Sequence, residues 1–263
     1  MRLQPNKPIV ARGKVLGGPL PLLCIPLVGS TRAEVLKEAG NIPSMAPDII
    51  ELRADAWEFI EDLSGSIAMI REVREAAGEL PIILTCRGHW EGGFKEVSDE
   101  AKFSLYREAA KEALVDFIDV ELVYGDEKIR EVLAMIAESE ANLIVSSHYF
   151  EKTPPKEVIF STLAAQIRAG AHVAKLAAMP CCEEDVLSLL SATLMIRRQY
   201  PDHPIITMAM GGMGAVTRVA GGLFGSDLTF AVGSKASAPG QIPVDALKDC
   251  LAVIHPRDNQ AGT

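Results

Sequence analysis

Short runs of β-branched and other apolar residues alternate along the chain with longer segments whose apolar positions recur every three or four residues. The first pattern fits strands buried on both faces and the second fits amphipathic helices; their alternation is the mark of parallel βα units. Eight pairs are predicted, with strands over residues 22–28, 49–54, 82–87, 117–122, 143–148, 172–177, 205–210 and 228–232. The helices are predicted over residues 31–39, 64–77, 99–114, 126–138, 155–169, 183–200, 215–224 and 244–254. Ser64, Ser98, Asp126 and Thr153 (before Pro154) are placed as start signals, with Glu100 and Glu157 in first turns.

Eight repeats of about 30 residues predict a (β/α)8 TIM barrel, here as one domain over residues 1–263. The alternative is a doubly wound open sheet, which usually announces a Gly-rich first turn; Val28-Gly29-Ser30-Thr31 is a poor version of one. Residues 1–19 read as an extension carrying a small hairpin over 9–18, placed to close the bottom of the barrel, and the polar tail 257–263 is expected to fray.

Composition narrows the function. With 48% hydrophobic and 23% charged residues the chain can bury a large core. A net charge of -9 and the lack of any Lys/Arg block argue against nucleic acid or anionic membrane as partners, so an anionic ligand would be held by a few local arginines. Cys24, Cys86, Cys181, Cys182 and Cys250 are odd in number and lack CxxC or Cys/His spacing, which disfavours disulfides and structural zinc and suits a cytoplasmic protein. Met1 to Pro8 is polar, and no apolar stretch of about 18 residues occurs, so neither secretion nor membrane spanning is expected.

In such a barrel the chemistry gathers at the C-terminal ends of the strands. Lys175 lies in the apolar run from Ala171 to Met179, where burial would favour the neutral, nucleophilic amine able to form a Schiff base; the alternative is a strand-end lysine in an ordinary ion pair. Period-two alternation puts Glu51, Arg53 and Asp55 on one face of the second strand. The third strand ends at Arg87, followed by Gly88-His89-Trp90-Glu91-Gly92-Gly93. The fourth carries Asp119 and Glu121, and the fifth ends Ser146-Ser147-His148. Taken singly, each could be a structural ion or hydrogen-bonded group. Together they would be a costly set of buried charges unless a ligand site were there. His89 and His172 read as structural, His203 and His255 as loop or surface residues. The turn Gly211-Gly212-Met213-Gly214 could bind phosphate or serve only as a sharp turn. Arg218 could clamp an anion or be a solvated helix charge, and residues 234–241 could form a mobile lid or an inert loop.

These segments, in this order, resemble the type I 3-dehydroquinate dehydratases of the shikimate pathway, which leads to the aromatic amino acids. The resemblance runs from about Leu22 to Ile254. It rests on Glu51-Leu52-Arg53-Ala54-Asp55, Arg87 with Glu91-Gly92-Gly93, Ile118-Asp119-Val120-Glu121-Leu122, Ser147-His148 followed by Lys152-Thr153-Pro154, Lys175-Leu176-Ala177-Ala178-Met179-Pro180 and Ser237-Ala238-Pro239-Gly240-Gln241. It implies a lyase on a (β/α)8 barrel, with no metal or organic cofactor and usually a homodimer. It makes Lys175 the imine-forming lysine, His148 the general acid/base, and Glu91 the residue that orients His148. It makes Arg218 the grip on the substrate carboxylate, Glu51, Arg53 and Arg87 the contacts to the substrate's hydroxyls and surrounding polar groups, and Ser237 with Gln241 the lid. Asp119 matches a supporting position in the lysine and arginine network. Where some members have a serine near the end of the first strand, this chain has Pro26, which removes one peripheral contact. The rival enzyme reading is a class I aldolase, which also begins from a lysine imine. A carboxylate-binding sensor, or a metal-dependent isomerase with Glu51, Asp119, Glu121 and His148 as ligands, are the readings from other classes.

Overall fold

The structure is a computed structural model and describes residues 2–255. The expectation for the tail, residues 257–263, lies outside the described residues. The chain opens with a hairpin of β1 (Ile9–Ala11) and β2 (Lys14–Leu16). Arg12 and Gly13 at its tip both have positive φ, as a two-residue hairpin turn that follows the strand twist requires.

Then come β3 (Leu22–Leu27), α1 (Arg32–Gly40), the short α2 (Ile42–Met45), β4 (Ile49–Arg53), α3 (Leu63–Ala77), β5 (Ile82–Thr85), α4 (Asp99–Lys111), β6 (Phe117–Glu121) and α5 (Gly125–Ile136). The second half continues with β7 (Asn142–Tyr149), α6 (Lys156–Arg168), β8 (Val173–Ala178), α7 (Glu183–Gln199), β9 (Ile205–Ala209), α8 (Ala215–Phe224), β10 (Leu228–Val232), β11 (Ile242–Pro243) and α9 (Val244–Ile254). All eight predicted βα pairs are present, shifted by no more than a few residues at their ends.

From β3 to β9 each strand pairs in parallel with the next, and β10 pairs back on β3, curling the sheet into a barrel. The remaining seam, between β9 and β10, is drawn together partly by side chains. Asp227 N–H donates to Ile205 O at 2.7 Å, while Ser226 Oγ accepts from Thr207 N–H at 3.0 Å and donates to Thr207 O at 3.2 Å. The Asp227 carboxylate beneath the seam is held by Arg2 and Arg197. The two-residue β11 pairs on β10 at the rim as a ninth strand that periodicity did not predict, being too short to show any.

Alternation along the strands separates two environments. Ile50, Leu52, Ala174 and Leu176 face the helices, whereas Ile49, Ile83, Phe117, Ile144, Val173, Ile206 and Leu228 pack inside the barrel. Ala11 and Leu16 of the hairpin join that interior cluster, which closes its N-terminal end. Two residues further along each of these strands stand Glu51, Thr85, Asp119, Ser146, Lys175, Met208 and Phe230, on the same inward face. The apolar floor therefore gives way to a charged layer within one residue pair, at the end where barrels hold their sites.

Three of the predicted helix starts differ. Asp62, not Ser64, caps α3 through Gly65 N–H; Asp126 sits in the first turn of α5 without capping it; and Thr153 donates to Met179 O. Ser98 caps α4 as expected. His255 is buried against Gly222 at the end of α9 rather than exposed.

Candidate active site

Lys175 projects from β8 into the barrel and is 3% exposed. Its apolar sequence neighbours face outward, so its surroundings are not the apolar run that the sequence suggests. Nζ lies 2.8 Å from Asp119 Oδ2, 3.4 Å from Glu51 Oε1 and 4.9 Å from the centre of the Phe230 ring. The amine is buried, and it is ion-paired to carboxylates, as the second of its two alternatives has it. The same Glu51 oxygen also accepts from Thr85 Oγ1 at 2.9 Å.

Asp119 is fully buried and shares Oδ2 between Lys175 and Arg87 Nη2, each at 2.8 Å, while Oδ1 accepts from Ser146 Oγ at 2.5 Å. Burial opposes its ionisation, but Arg87 and Lys175 outweigh burial and hold its carboxyl well below the usual range. Arg87 Nη1 also donates to Glu121 at 2.9 Å and to Ser146 Oγ at 2.7 Å, so this guanidinium lines the cavity while saturated with protein partners. Asp55 sits in the turn after β4, not on the cavity wall. There it grips Arg53 through both carboxylate oxygens, at 3.0 and 2.8 Å, and accepts from Arg87 N–H and Phe94 N–H. Arg53 lies over the Phe94 ring, 4.8 Å from its centre, with its guanidinium fixed from behind.

His148, near the end of β7, opens onto the same cavity as Lys175. Its imidazole is pushed well below the usual histidine range by burial and by the positive charges of Arg87 and Lys175. Glu91 Oε2 lies 2.9 Å from both the backbone N and the ring Nδ1 of His148. The backbone N–H must donate, so that oxygen acts as an acceptor. Nδ1–H donating to it leaves Nε2 as the ring's unprotonated nitrogen. Burial raises the Glu91 carboxyl to about 7 despite the opposing charge of Arg87.

Arg218, from α8, reaches inward and is 2% exposed. It donates to Phe230 O at 3.4 Å and to Pro239 O at 3.2 Å, but has no carboxylate partner among the described residues. Burial alone lowers it to about 10. A guanidinium buried without a counter-charge is costly, and a carboxylate entering the cavity would satisfy it. Ser237 and Gln241 cross-link the loop above, with Ser237 N–H to Gln241 Oε1 at 2.9 Å and Gln241 Nε2 to Ser237 Oγ at 3.0 Å. Both face the cavity, along with Met208, Met210, Phe150 and Phe230.

The Gly-rich turn is not an open anion nest. Gly211 N–H donates to Pro239 O, and Ala215 and Thr217 donate back to Gly212 and Gly214. Gly211 and Gly240 both have positive φ, and a Cβ on Gly240 would lie 2.0 Å from Gly211 O, so the loop seats on this turn only because both residues are glycine. Pro26 is buried in β3 in register with Glu51 and does not line the cavity.

The cavity gathers Glu51, Arg53, Arg87, Glu91, His148, Lys175, Arg218, Ser237 and Gln241; Asp119 lies directly behind Lys175. Sequence reasoning missed the bridging role of Ser146, the Met208, Met210 and Phe230 wall, and Lys102. Lys102 is 2% exposed and pairs with Glu121 Oε2 at 2.5 Å. A signal existed, because Lys102 falls with Leu105, Tyr106, Ala109 and Ala110 on the buried stripe of α4. The carboxylates Asp119 and Glu121, needed as ligands in a metal-dependent reading, are both engaged by protein cations.

A curled parallel barrel with a carboxylate-held lysine, a glutamate-held histidine and a buried arginine gathered at its C-terminal end has the architecture of a TIM-barrel enzyme. A model of the family described as Type I 3-dehydroquinase matches residues 23–258. The 3-dehydroquinate dehydratase of Geobacillus kaustophilus is 44% identical over 255 residues, covering 97% of this chain and 98% of that one. That of Clostridium botulinum is 42% identical over 240 residues, covering 91% and 94%. The crystal structure of the Geobacillus kaustophilus dehydratase superposes with a TM-score of 0.94 at 41% identity, over 98% of this chain and 100% of that one. A Clostridium difficile type I 3-dehydroquinate dehydratase, solved with covalently modified comenic acid, gives 0.91 at 38% identity, over 97% and 99%. The chain belongs to the type I 3-dehydroquinase family.

Proposed function

We propose that the chain removes water from 3-dehydroquinate to give 3-dehydroshikimate by way of an imine between Lys175 and the ring ketone. The observation that carries this reading is a meeting of three groups on one cavity: the Lys175 amine, the imidazole of His148 bound to Glu91, and the otherwise unpaired guanidinium of Arg218. Arg218 receives the substrate carboxylate and fixes the ring beneath the lid. Glu51, Arg53 and Arg87 form the polar wall facing its hydroxyls. Asp119 holds Lys175 and Arg87 in register with each other.

The Lys175 ammonium passes a proton to His148 and the freed amine adds to the ketone carbon; His148 returns that proton to the carbinolamine hydroxyl, which leaves as water and leaves a protonated imine. That cation draws electrons from the adjacent carbon. His148 Nε2 removes the C–H proton there and then delivers it to the departing hydroxyl, so water leaves as the conjugated double bond forms. A second water hydrolyses the imine and restores the amine. One water is lost on imine formation and one is consumed on hydrolysis, so the net change is the loss of one water from substrate. A positioned acid/base is worth about 10²–10⁴ in rate, and the imine supplies much of the remainder.

Borohydride reduction in the presence of 3-dehydroquinate, followed by intact and peptide mass, tests the covalent step; enone absorbance tests turnover. Folded protein that yields neither adduct nor enone would overturn the reading. The aldolase alternative shares the amine, but a phosphorylated substrate would meet a glycine turn whose amides at Gly211, Ala215 and Thr217 already have acceptors. A sensor needs no acid/base beside an amine. Independence from metal and organic cofactors belongs to the same proposal, as do one domain over residues 1–263, a cytoplasmic location and a homodimer; sedimentation equilibrium checks the last. Among the described residues no helix is long and apolar enough to cross a membrane.

A further inference from the structure

Glu121 stands at a branch point. Its Oε1 accepts from Arg87 Nη1 at 2.9 Å and from Gly88 N–H at 2.8 Å. The first contact leads through Arg87 to Asp119 and on to Lys175, each step 2.8 Å. The second fixes the start of the turn at residues 88–93, in which Gly88 O accepts from Glu91 N–H at 2.9 Å and from Gly93 N–H at 3.0 Å. That turn carries Glu91, and Glu91 carries His148. Both reactive side chains therefore hang from one buried carboxylate.

The other oxygen of Glu121, Oε2, is held by Lys102 Nζ at 2.5 Å. Lys102 comes from α4, outside the barrel, and does not line the catalytic cavity. Its ammonium sits 4.6 Å from the centre of the Tyr124 ring, 5.8 Å from Phe103 and 5.9 Å from Tyr106, which confine it to this one anion. Charges of alternating sign thus run Lys102, Glu121, Arg87, Asp119, Lys175 from the helical shell to the amine. Removing the outermost would leave Glu121 with a bare oxygen and free Arg87 to be drawn toward it.

We propose that Lys102 is a positioning residue for the dehydration, which by anchoring Glu121 sets the placement of Lys175 through one arm and of His148 through the other. This rests on the lysine-imine reading above. It also ties the charge of Lys102 to Glu91, which is faced by Arg87, Glu121, Asp119 and His148 and is made harder to ionise by burial and by the two carboxylates.

The test is Lys102→Met, which keeps length and apolar contact while removing the charge. The expected result is a folded protein whose kcat falls on the order of 10–100-fold, since a displacement near one ångström far from the chemistry can have that effect. KM should change by less than kcat, because Arg218 and the lid are untouched and only the Arg87 contact shifts. The acidic limb of the kcat/KM profile should move to higher pH, by roughly a unit or less, as an unneutralised Glu121 makes Glu91 harder to ionise. If Lys102→Met does not fold, Lys102→Gln keeps a hydrogen-bond donor without the charge and should show the same shifted limb. A folded variant with wild-type kcat and an unmoved limb would overturn the proposal, as would equal losses traced only to a smaller folded fraction. Borohydride trapping of the wild type separates the two readings. Without a wild-type adduct the imine reading falls. With an adduct and an unaffected Lys102 variant, only the role of Lys102 falls.

Discussion

Glu91 Oε2 holds His148 by two atoms at once, the backbone nitrogen and ring Nδ1, both at 2.9 Å. The grip fixes the ring's orientation as well as its tautomer, and it depends on Glu91 accepting hydrogen bonds. Raised to about 7 by burial, the Glu91 carboxyl takes up a proton as pH falls through neutrality. Activity should therefore decline on an acidic limb near that value, and Glu91→Gln should flatten the limb while lowering kcat by about 10–100-fold, read from kcat/KM profiles.

The same carboxyl bears on stability. Its folded-state value lies above the ordinary 4.5, so between those two pH values the folded chain binds more protons than the unfolded chain. Its favourable contribution is complete below the unfolded value and is lost as pH rises through about 7. Glu91→Gln should unfold at higher urea than the wild type above neutrality, by about 1–3 kcal/mol, with the advantage vanishing near pH 4. An unchanged difference across that window would contradict the assignment.

Lys175→Met should abolish both turnover and the borohydride adduct. It removes one cation from Asp119, which keeps Arg87, and one from Glu51, which keeps Thr85. Breaking a buried pair typically costs about 3–5 kcal/mol, and the retained partners should hold the loss at or below that. Urea melts and intact mass on the same preparation check both halves.

Arg218→Met should separate binding from stability. The guanidinium is buried with only carbonyl partners and lowered to about 10, so its removal should leave stability unchanged or improved. Loss of a charge-assisted contact worth about 1.5–3 kcal/mol should raise KM about 10–100-fold. A large drop in melting temperature would mean that the arginine is structural.

Gly240→Ala places a methyl against Gly211 O at a residue whose φ is +74°. The loop should then fail to seat, Arg218 should lose its contact with Pro239, and kcat/KM should fall about tenfold or more. Faster cleavage within residues 234–241 by limited proteolysis is the independent readout.

The order of elements was legible in the sequence because apolar period is a local property: two for strands such as 49–53 and three to four for helices such as 99–111. That same period placed Glu51 and Arg53 on one face of the second strand; it extended the face to Asp55, which instead lies in the turn that ends the strand. It could not show that Lys175 meets Asp119, 56 residues away, or that Glu91 meets His148, 57 residues away, because those contacts exist only once the sheet curls. Hence Ala174 and Leu176, the amine's apolar neighbours along the strand, carry no information on its environment, because they point to the helices. Lys102 was passed over because a lysine on a helix is ordinarily solvated, and only α4 lying against β6 turns it toward Glu121. The chain alone thus determined the order of the strands and most of the charged residues at their ends, though not the apolar wall of Met208, Met210 and Phe230. Their electrostatic partners were decided by tertiary structure, since charge pairing acts through space and carries no periodic signature along the sequence.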